Sequence, residues 1–289
     1  MTTRLAEAYI DDGYVVVPEL INEDEVASIH NEIDRFRGGD YPISNSEDNS
    51  ELDGILCVHF PHWVSEPTLE LVTHPRIAAV LAEVTGAHIP FWDGRVKCMQ
   101  SMLFLKPPGF PGQAWHQDER FIPTRDRSLI AAWIALDDAT EANGCLRVVP
   151  GSHRSGRIWP TASHSEPDEF DPSDEAQGVD DGSEILVEMK AGDVLFFNGY
   201  LLHRSKMNRS VTTRRALVNH YMNAWSNLAW TADADRQIDP ATHDHRVIVP
   251  VVGQDPYPER GIAEPPSEVF LRPWKSDMDW GAWDAARDD

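Results

Sequence analysis

A succession of short apolar runs from residue 97 onward restricts the fold of this chain more than any other feature. The runs are rich in the β-branched and aromatic residues that favour strands; in order, they are KCMQSMLFLK, LIAAWIALDD, CLRVVP, EILVEM, DVLFFN and RRALVNHYM. Turn-forming stretches separate them, among them PPGFPG, EANG, PGSH and KAGD. Several short strands separated by turns predict a β-barrel or a β-sandwich.

The chain before residue 97 has helical patterns instead. Residues 5–13 predict a short helix, and the YVVVPEL that follows predicts a strand. Asn22 and Glu25 fit a capping box at the start of a second helix. One apolar face of that helix is predicted from residues spaced by three, four and three: Val26, Ile29, Ile33 and Phe36. Residues 76–84 predict a third helix, so the fold is expected to be mainly β with helices packed outside.

We expect one domain over residues 1–289. It comprises a helical N-terminal part (1–96), a core that carries the functional site (97–222) and a C-terminal segment rich in Trp and Pro (223–289). That last segment is predicted to wrap back over the core, because its tryptophans would be costly to expose together. They are Trp225, Trp230, Trp274, Trp280 and Trp283.

The stretch 160–184 is acidic and has almost no large apolar side chains. We interpret it as a solvated surface loop. The alternative is a mobile lid over a site, since long insertions in compact domains are often functional.

Composition excludes several classes of partner. A net charge of −23 argues against nucleic acid and against anionic membrane surfaces, which both require an excess of Lys and Arg. There is no apolar run of 18 residues and no signal-peptide pattern at the N-terminus. Three widely spaced cysteines (Cys57, Cys98 and Cys145) do not form a disulfide framework. We therefore expect a soluble cytoplasmic protein that acts on a small molecule; its oligomeric state does not follow from the sequence.

The stretch AWHQDERFIP places a histidine and an aspartate two residues apart. On a strand or its extension, the side chains of His116 and Asp118 point the same way, whereas Gln117 points the other way and is expected to be structural. A 2-His-1-carboxylate iron site needs one more, distant histidine. His203, which follows the predicted strand DVLFFN, is the best candidate. The spacing alone is equally consistent with a polar turn and an unrelated core histidine.

Two adjacent arginines follow the distal histidine. The return of the chain through RSKMNRSVTT brings Arg214 or Arg215 alongside His203. A guanidinium beside a metal suits a carboxylate-bearing cosubstrate, which it binds through two charge-assisted hydrogen bonds. Neighbouring residues on a strand face opposite sides, so only one of the two faces a site, and the pattern does not say which.

Ordered blocks of this sequence resemble the phytanoyl-CoA dioxygenase (PhyH) family of Fe(II)/2-oxoglutarate-dependent oxygenases. The resemblance spans residues 8–222 and is strongest in QSMLFLKPPG, WHQDERFIPTRDRS, WIALDDATEANGCLRVVPGSH, AGDVLFFNGYLLHRS and NRSVTTRRAL. It implies a double-stranded β-helix core, the cupin-like jelly roll, with N-terminal helices packed outside.

The resemblance also implies a site. The implied iron ligands are His116, Asp118 and His203. Arg214, eleven residues beyond the distal histidine, is implied to pair with the distal carboxylate of 2-oxoglutarate. Gln100 is implied to reach the cosubstrate, and Trp133 is implied to line its pocket.

The implied reaction uses Fe(II), 2-oxoglutarate and O₂. It releases succinate and CO₂ and hydroxylates an unactivated C–H bond of a small organic molecule. Asp118 favours this outcome over halogenation, because halogenating relatives have a small residue at that position; desaturation and ring closure stay open. The alternative is a catalytically inactive or non-oxygenase cupin-like barrel that binds a small ligand or a protein partner.

Three arginines lie just beyond the HxD: Arg120, Arg125 and Arg127. They are candidates for contact with an anionic substrate. Salt bridges with Glu119 and Asp126 are the alternative.

Overall fold

The computed structural model of the protein describes residues 4–43, 55–88, 92–226, 247–254 and 266–273. Of the tryptophans predicted to wrap over the core, only Trp225 lies in these ranges, and it is 46% exposed. The others lie outside the described residues: Trp230, Trp274, Trp280 and Trp283. None of the helices within the described ranges combines the length and apolar character needed to cross a membrane.

Four α-helices occur among the described residues before residue 96: α1 (Arg4–Asp12), α2 (Glu23–Gly38), α3 (Glu66–Val72) and α4 (Pro75–Val84). The predicted capping box of α2 is present, since Asn22 and Glu25 each accept a hydrogen bond from the backbone N–H of the other. Its predicted apolar face is buried. The sequence pattern does not predict α3, because a seven-residue helix is too short to show a periodic face.

The strands form two antiparallel sheets and one short hairpin. In spatial order, the larger sheet contains β1 (Tyr14–Val17), β10 (Val194–Asn198), β5 (Ile130–Ala135), β12 (Arg214–Asn223), β3 (Val96–Lys106), β2 (Ile55–His59) and β14 (Phe270–Pro273), with β13 (Val249–Val252) also paired to β3. The smaller sheet contains β4 (Gln113–His116), β11 (His203–Ser205), β6 (Leu146–Val148) and β9 (Ile185–Val187). The hairpin contains β7 (Thr161–Ala162) and β8 (Glu175–Ala176).

Strand β5 shows how the core is built. Its sequence, IAAWIA, is apolar throughout because both of its faces are covered. One set of alternate residues packs with α1, α2 and α4: Ile130, Ala132 and Ile134. The other set packs with β6 and β9 of the smaller sheet: Ala131, Trp133 and Ala135. The two sheets therefore face each other, with the helices outside the larger one, which confirms the predicted jelly roll.

The N-terminal part, residues 1–96, was predicted to be helical apart from one strand, and it contains two strands. Strand β1 pairs with β10, and β2 pairs with β3, so this part supplies two strands of the larger sheet. YVVVPEL predicted the first of these, but no pattern predicted the second. All five residues of β2 are buried, and a short apolar run without alternation does not distinguish a strand from a buried helix.

The acidic stretch 160–184 is exposed along most of its length, as a surface loop should be, but its middle is buried. Phe170 and Asp171 are each 1% exposed. The backbone N–H of Gly112 donates to the carbonyl of Glu169 (2.8 Å), and the N–H of Asp171 donates to the carbonyl of Gly112 (2.7 Å). Because Gly112 immediately precedes β4, the middle of the stretch extends the edge of the smaller sheet and is packed rather than solvated.

Candidate metal centre

Two neighbouring strands of the smaller sheet, β4 at its edge and β11 beside it, bring the HxD and the distal histidine together. In the pairing of β11 with β4, His203 lies directly opposite His116. Asp118 follows β4 at the start of a 3₁₀ turn, Asp118–Arg120. One ligand atom from each of the three residues lies within 4.8 Å of the others. The Nε2 atoms of His116 and His203 are 3.8 Å and 3.6 Å from Oδ1 of Asp118.

Backbone carbonyls orient both imidazoles. Nδ1 of His116 donates to the carbonyl of Ala114 (2.8 Å), and Nδ1 of His203 donates to that of Leu201 (3.0 Å). A carbonyl only accepts, so each Nδ1 carries the proton and each Nε2 has a free lone pair directed at the shared centre. Burial, together with the neighbouring His203, lowers the pKa of His116 to about 3, so this imidazole is neutral at neutral pH, as metal binding requires.

The carboxylate of Asp118 is held by a third histidine. Burial alone would raise the pKa of Asp118, but the nearby His203 and a hydrogen bond from His220 outweigh it and lower the pKa below its usual value. Nε2 of His220 donates to Oδ2 of Asp118 (3.1 Å), which leaves Oδ1 facing the two ligand imidazoles. The sequence did not single out His220. His220 lies six residues after Arg214 in the same predicted strand, and strand residues an even number of positions apart face the same side. This spacing could have predicted that His220 faces the site.

We expect His220→Ala to weaken iron binding by about 10- to 100-fold, the usual effect of removing an outer partner of a metal ligand. Without the donor, the Asp118 carboxylate can rotate away from the two Nε2 atoms. The measurement is titration of the protein with Fe(II) in the absence of oxygen. His220→Gln, whose amide can still donate, should recover part of the affinity.

The control for this experiment is His62→Ala, which removes an equally buried imidazole that is not among the described residues lining the cavity. If His62→Ala and His220→Ala weakened iron binding to the same extent, a general loss of packing would explain both results. The orienting role of His220 would then be wrong.

The cluster opens into a cavity of ≈ 200 Å³ between the two sheets. Strands β3 and β12 supply one wall, because alternate residues of the two paired strands face the same side. The cross-strand pairs that line the cavity are Lys106 with Arg214, Met102 with Val218 and Gln100 with His220. Trp133 of β5, opposite Val218, also lines it. The predicted metal and cosubstrate residues thus line this one cavity, whereas the three arginines beyond the HxD are not among the described residues that line it; the lining set is Gln100, His116, Asp118, Trp133, His203 and Arg214.

The structure distinguishes the two adjacent arginines. Arg214 is 4% exposed and lies 5.3 Å from the ring centre of Trp133. Its Nη1 donates to the carbonyl of Gly144 (3.2 Å), whereas its buried Nε has no partner among the described residues. Burial lowers the pKa of Arg214 to about 10, which still leaves it charged at neutral pH. Arg215 faces away from the cavity and forms a two-pronged ion pair with Asp137 (2.7 Å for each contact).

Other polar residues of the HxD region are structural. Gln117 accepts from the N–H of Trp159 (2.8 Å) and donates to the carbonyl of Tyr200 (2.7 Å), so it does point away from the cluster. Arg120 lies 3.9 Å from Asp174.

The ion pairs expected with Glu119 and Asp126 are not found among the described residues. Glu119 accepts hydrogen bonds from Thr124, and Asp126 accepts them from Ser128. Both carboxylates thus take hydrogen bonds from nearby residues of the same turns rather than from these arginines.

The donor set fits iron and a 2-oxo dicarboxylic acid. Two imidazoles and one carboxylate on one side of a centre are the facial ligand set of non-heme Fe(II), which leaves positions for a chelating cosubstrate and O₂. The unpartnered Nε of Arg214 is a buried donor that a carboxylate would satisfy.

Comparison with known proteins gives one family. The sequence profile described as phytanoyl-CoA dioxygenase (PhyH) matches residues 9–216. The chain is 36% identical over 153 residues to phytanoyl-CoA dioxygenase 1 of Oryza sativa subsp. japonica, with 50% of this chain and 52% of the relative covered. It is 27% identical over 231 residues to a probable alpha-ketoglutarate-dependent hypophosphite dioxygenase of Stutzerimonas stutzeri, with 75% and 78% covered. The chain spans about half the length of the phytanoyl-CoA dioxygenases of rice and Arabidopsis thaliana that it matches.

Solved structures with a similar fold include an apo non-heme monooxygenase, with a TM-score of 0.67 and 20% identity over 98% of this chain and 94% of the other. A second is an epimerase in complex with Fe3+, alpha ketoglutarate and nogalamycin RO, with a TM-score of 0.62 and 24% identity over 93% and 97% of the two chains. At these identities the likeness concerns the fold.

Proposed function

Since the chain belongs to the phytanoyl-CoA dioxygenase (PhyH) family, we propose that it is an Fe(II)- and 2-oxoglutarate-dependent dioxygenase that hydroxylates an unactivated C–H bond of a small organic molecule. The observation that carries this proposal is the cluster of His116, Asp118 and His203 in the wall of a cavity that also contains the buried cation Arg214. Fe(II) bound there would supply the activation of O₂ that couples decarboxylation of 2-oxoglutarate to C–H hydroxylation.

The residues of the chain would each have a definite task. His116, Asp118 and His203 hold the metal from one side, and the carbonyl of Leu201 and the imidazole of His220 keep two of these ligands in place. Arg214 binds the distal carboxylate of the cosubstrate through charge-assisted hydrogen bonds, for which its Nε is available. We place Gln100 and Trp133 beside the cosubstrate, because both line the same cavity.

Aromatic rings exclude water from the metal ligands. The ring of Phe197 is 4.7 Å from that of His203, and the ring of Phe121 is 6.3 Å from that of His116. The side chains of His116 and His203 are only 8% and 5% exposed. A dry site of this kind strengthens the charge interactions that hold the cosubstrate and protects the reaction from side reactions with solvent.

Succinate formation tests the proposal directly. We expect the protein, supplied with Fe(II), 2-oxoglutarate, O₂ and ascorbate, to release succinate slowly even without its organic substrate. One oxygen atom of O₂ enters succinate, and with no C–H bond to hydroxylate, ascorbate supplies the two electrons that reduce the other to water. A chelator should stop the release, and Asp118→Asn should remove it. If the protein bound no iron and formed no succinate, the dioxygenase proposal would fail and a ligand-binding barrel would be the better description.

We also propose that residues 1–289 form one domain and that the protein is cytoplasmic. In support of the first, β14 near the C-terminal end of the described chain pairs with β2 near its N-terminal end. In support of the second, Cys57, Cys98 and Cys145 are buried free thiols, as is usual in a reducing compartment.

A further inference from the structure

Lys106 is a buried cation in the cavity that the dioxygenase proposal leaves without a role. It is the last residue of β3, is 2% exposed and lies directly opposite Arg214 of β12 in the strand register. Both side chains line the cavity. Like charges directly opposite each other on neighbouring strands destabilise a sheet, and buried charges normally have a counter-charge. When both side chains are charged, the pair therefore requires an anion.

The described protein groups around Lys106 do not provide that anion. Its Nζ donates to the hydroxyl of Ser205 (3.2 Å) and to the backbone carbonyl of Lys206, both of which are uncharged. No ion pair of Lys106 with a carboxylate occurs among the described residues. Burial and then Arg214 lower the pKa of Lys106 well below its usual value, so its charged form becomes stable only when an anion lies beside it, as a bound carboxylate would.

The two carboxylates whose negative charge acts most on Lys106, those of Asp171 and Glu169, already interact with other residues. Asp171 accepts from Arg272 (2.7 Å) and from Ser173, and Glu169 accepts from Arg209 (3.0 Å) and from the N–H of Met207 (2.9 Å). Each of these carboxylates is balanced by an arginine. The charge of Lys106 and Arg214 together is therefore left for a ligand.

Gly144 defines the end of the space between the two cations. Its carbonyl accepts from Arg214, and a Cβ added at this glycine would lie 2.8 Å from Nζ of Lys106. Both side chains thus lie beside the same backbone segment and line the same cavity, where a terminal carboxylate of a bound acid would contact both.

We infer that Lys106 is a second binding residue for the distal carboxylate of the cosubstrate, so that Lys106 and Arg214 together select a 2-oxo dicarboxylic acid over a 2-oxo monocarboxylic acid. This inference rests on the proposed function. It adds a residue that neither the HxD spacing nor the position of the distal histidine indicates.

The test measures ligand binding rather than turnover. Calorimetry on the Fe(II)-loaded protein without oxygen gives the Kd for 2-oxoglutarate and for 2-oxopentanoate, in which a methyl group replaces the distal carboxylate. We expect Lys106→Met to weaken 2-oxoglutarate binding by about 10- to 100-fold, the range for loss of a hydrogen bond to a charged group. Binding of 2-oxopentanoate should not change.

Two further variants keep the result interpretable. Lys97→Met removes an equally buried lysine from the same strand, and Lys97 is not among the described residues that line the cavity. Lys97→Met should leave the Kd values for 2-oxoglutarate and 2-oxopentanoate unchanged, even where it lowers the free energy of unfolding. If Lys106→Met does not fold, Lys106→Gln, which can still donate to Ser205 and Lys206, should show the same selective loss.

The outcomes separate the inference from the proposed function. Equal weakening of both ligands, or of neither, would mean that Lys106 only ties down the carbonyl of Lys206, and the inference would be overturned while the dioxygenase proposal stood. A wild-type protein that binds iron but no 2-oxoglutarate would overturn both. Selective loss of 2-oxoglutarate affinity supports both.

Discussion

His203→Ala is expected to reduce iron affinity by more than about 100-fold, beyond the effect of removing an outer partner of a ligand. His203 supplies one of three ligand atoms, and its Nε2 lies 3.6 Å from the Asp118 oxygen that shares the centre. With His203 absent, the remaining imidazole and carboxylate hold the metal from two directions only. Anaerobic titration with Fe(II) measures the affinity, and the release of succinate should fall with it.

The control for His203→Ala is His74→Ala. His74 caps α4 through the N–H of Arg76 and pairs with Glu25 (2.9 Å), so its removal costs stability far from the cavity. It should leave iron affinity unchanged. If His203→Ala bound iron as the wild type does and still folded, as judged by thermal unfolding, the proposed ligand set would be wrong.

Arg214→Met should weaken 2-oxoglutarate binding by about 100-fold or more, because it removes a buried charge that can form two charge-assisted hydrogen bonds with one carboxylate. The substitution keeps an apolar side chain of similar length over Trp133. Iron affinity should not change, since Arg214 is not part of the metal cluster. Calorimetry with 2-oxoglutarate and the Fe(II)-loaded protein measures the effect.

The adjacent arginine provides a matched control. Arg215→Met breaks the partly exposed ion pair with Asp137, which costs about 0–1 kcal/mol of unfolding free energy. Because Arg215 faces away from the cavity, 2-oxoglutarate affinity should be retained. The reverse pattern, with Arg215→Met weakening binding and Arg214→Met without effect, would contradict the assignment of the cosubstrate cation.

Local sequence patterns predicted much of the fold. The capping box at Asn22 and the apolar face of α2 are determined by residues within a few positions of one another, and both are present in the structure. The same holds for the apolar run of β5. Strand β2 was not predicted, since its five buried residues show no alternation and its partner β3 lies some forty residues further along the chain.

Sequence motifs predicted the residues of the candidate site that lie within those motifs, and no others. The HxD spacing places His116 and Asp118 on one side of the chain, the strand before His203 made it the best candidate for the third ligand, and the resemblance to the family selected Arg214. His220 and Lys106 were not predicted, because a single histidine or lysine within an apolar strand carries no pattern of its own. Their significance depends on what lies across the sheet: Asp118 for the first and Arg214 for the second.

The sequence by itself determined the strand content and the outer helices, because periodicity and turn residues are local properties of the chain. The resemblance of its ordered blocks to the family implied the jelly-roll class, the ligand set and the choice of Arg214. Only the tertiary structure showed that Arg214 faces the cavity while Arg215 does not, that His220 holds the Asp118 carboxylate and that Lys106 lies opposite Arg214. The physical reason is strand register. The pairing of β12 with β3 and of β11 with β4 sets which side chains share a face, and those pairings join residues about 90 to 130 positions apart.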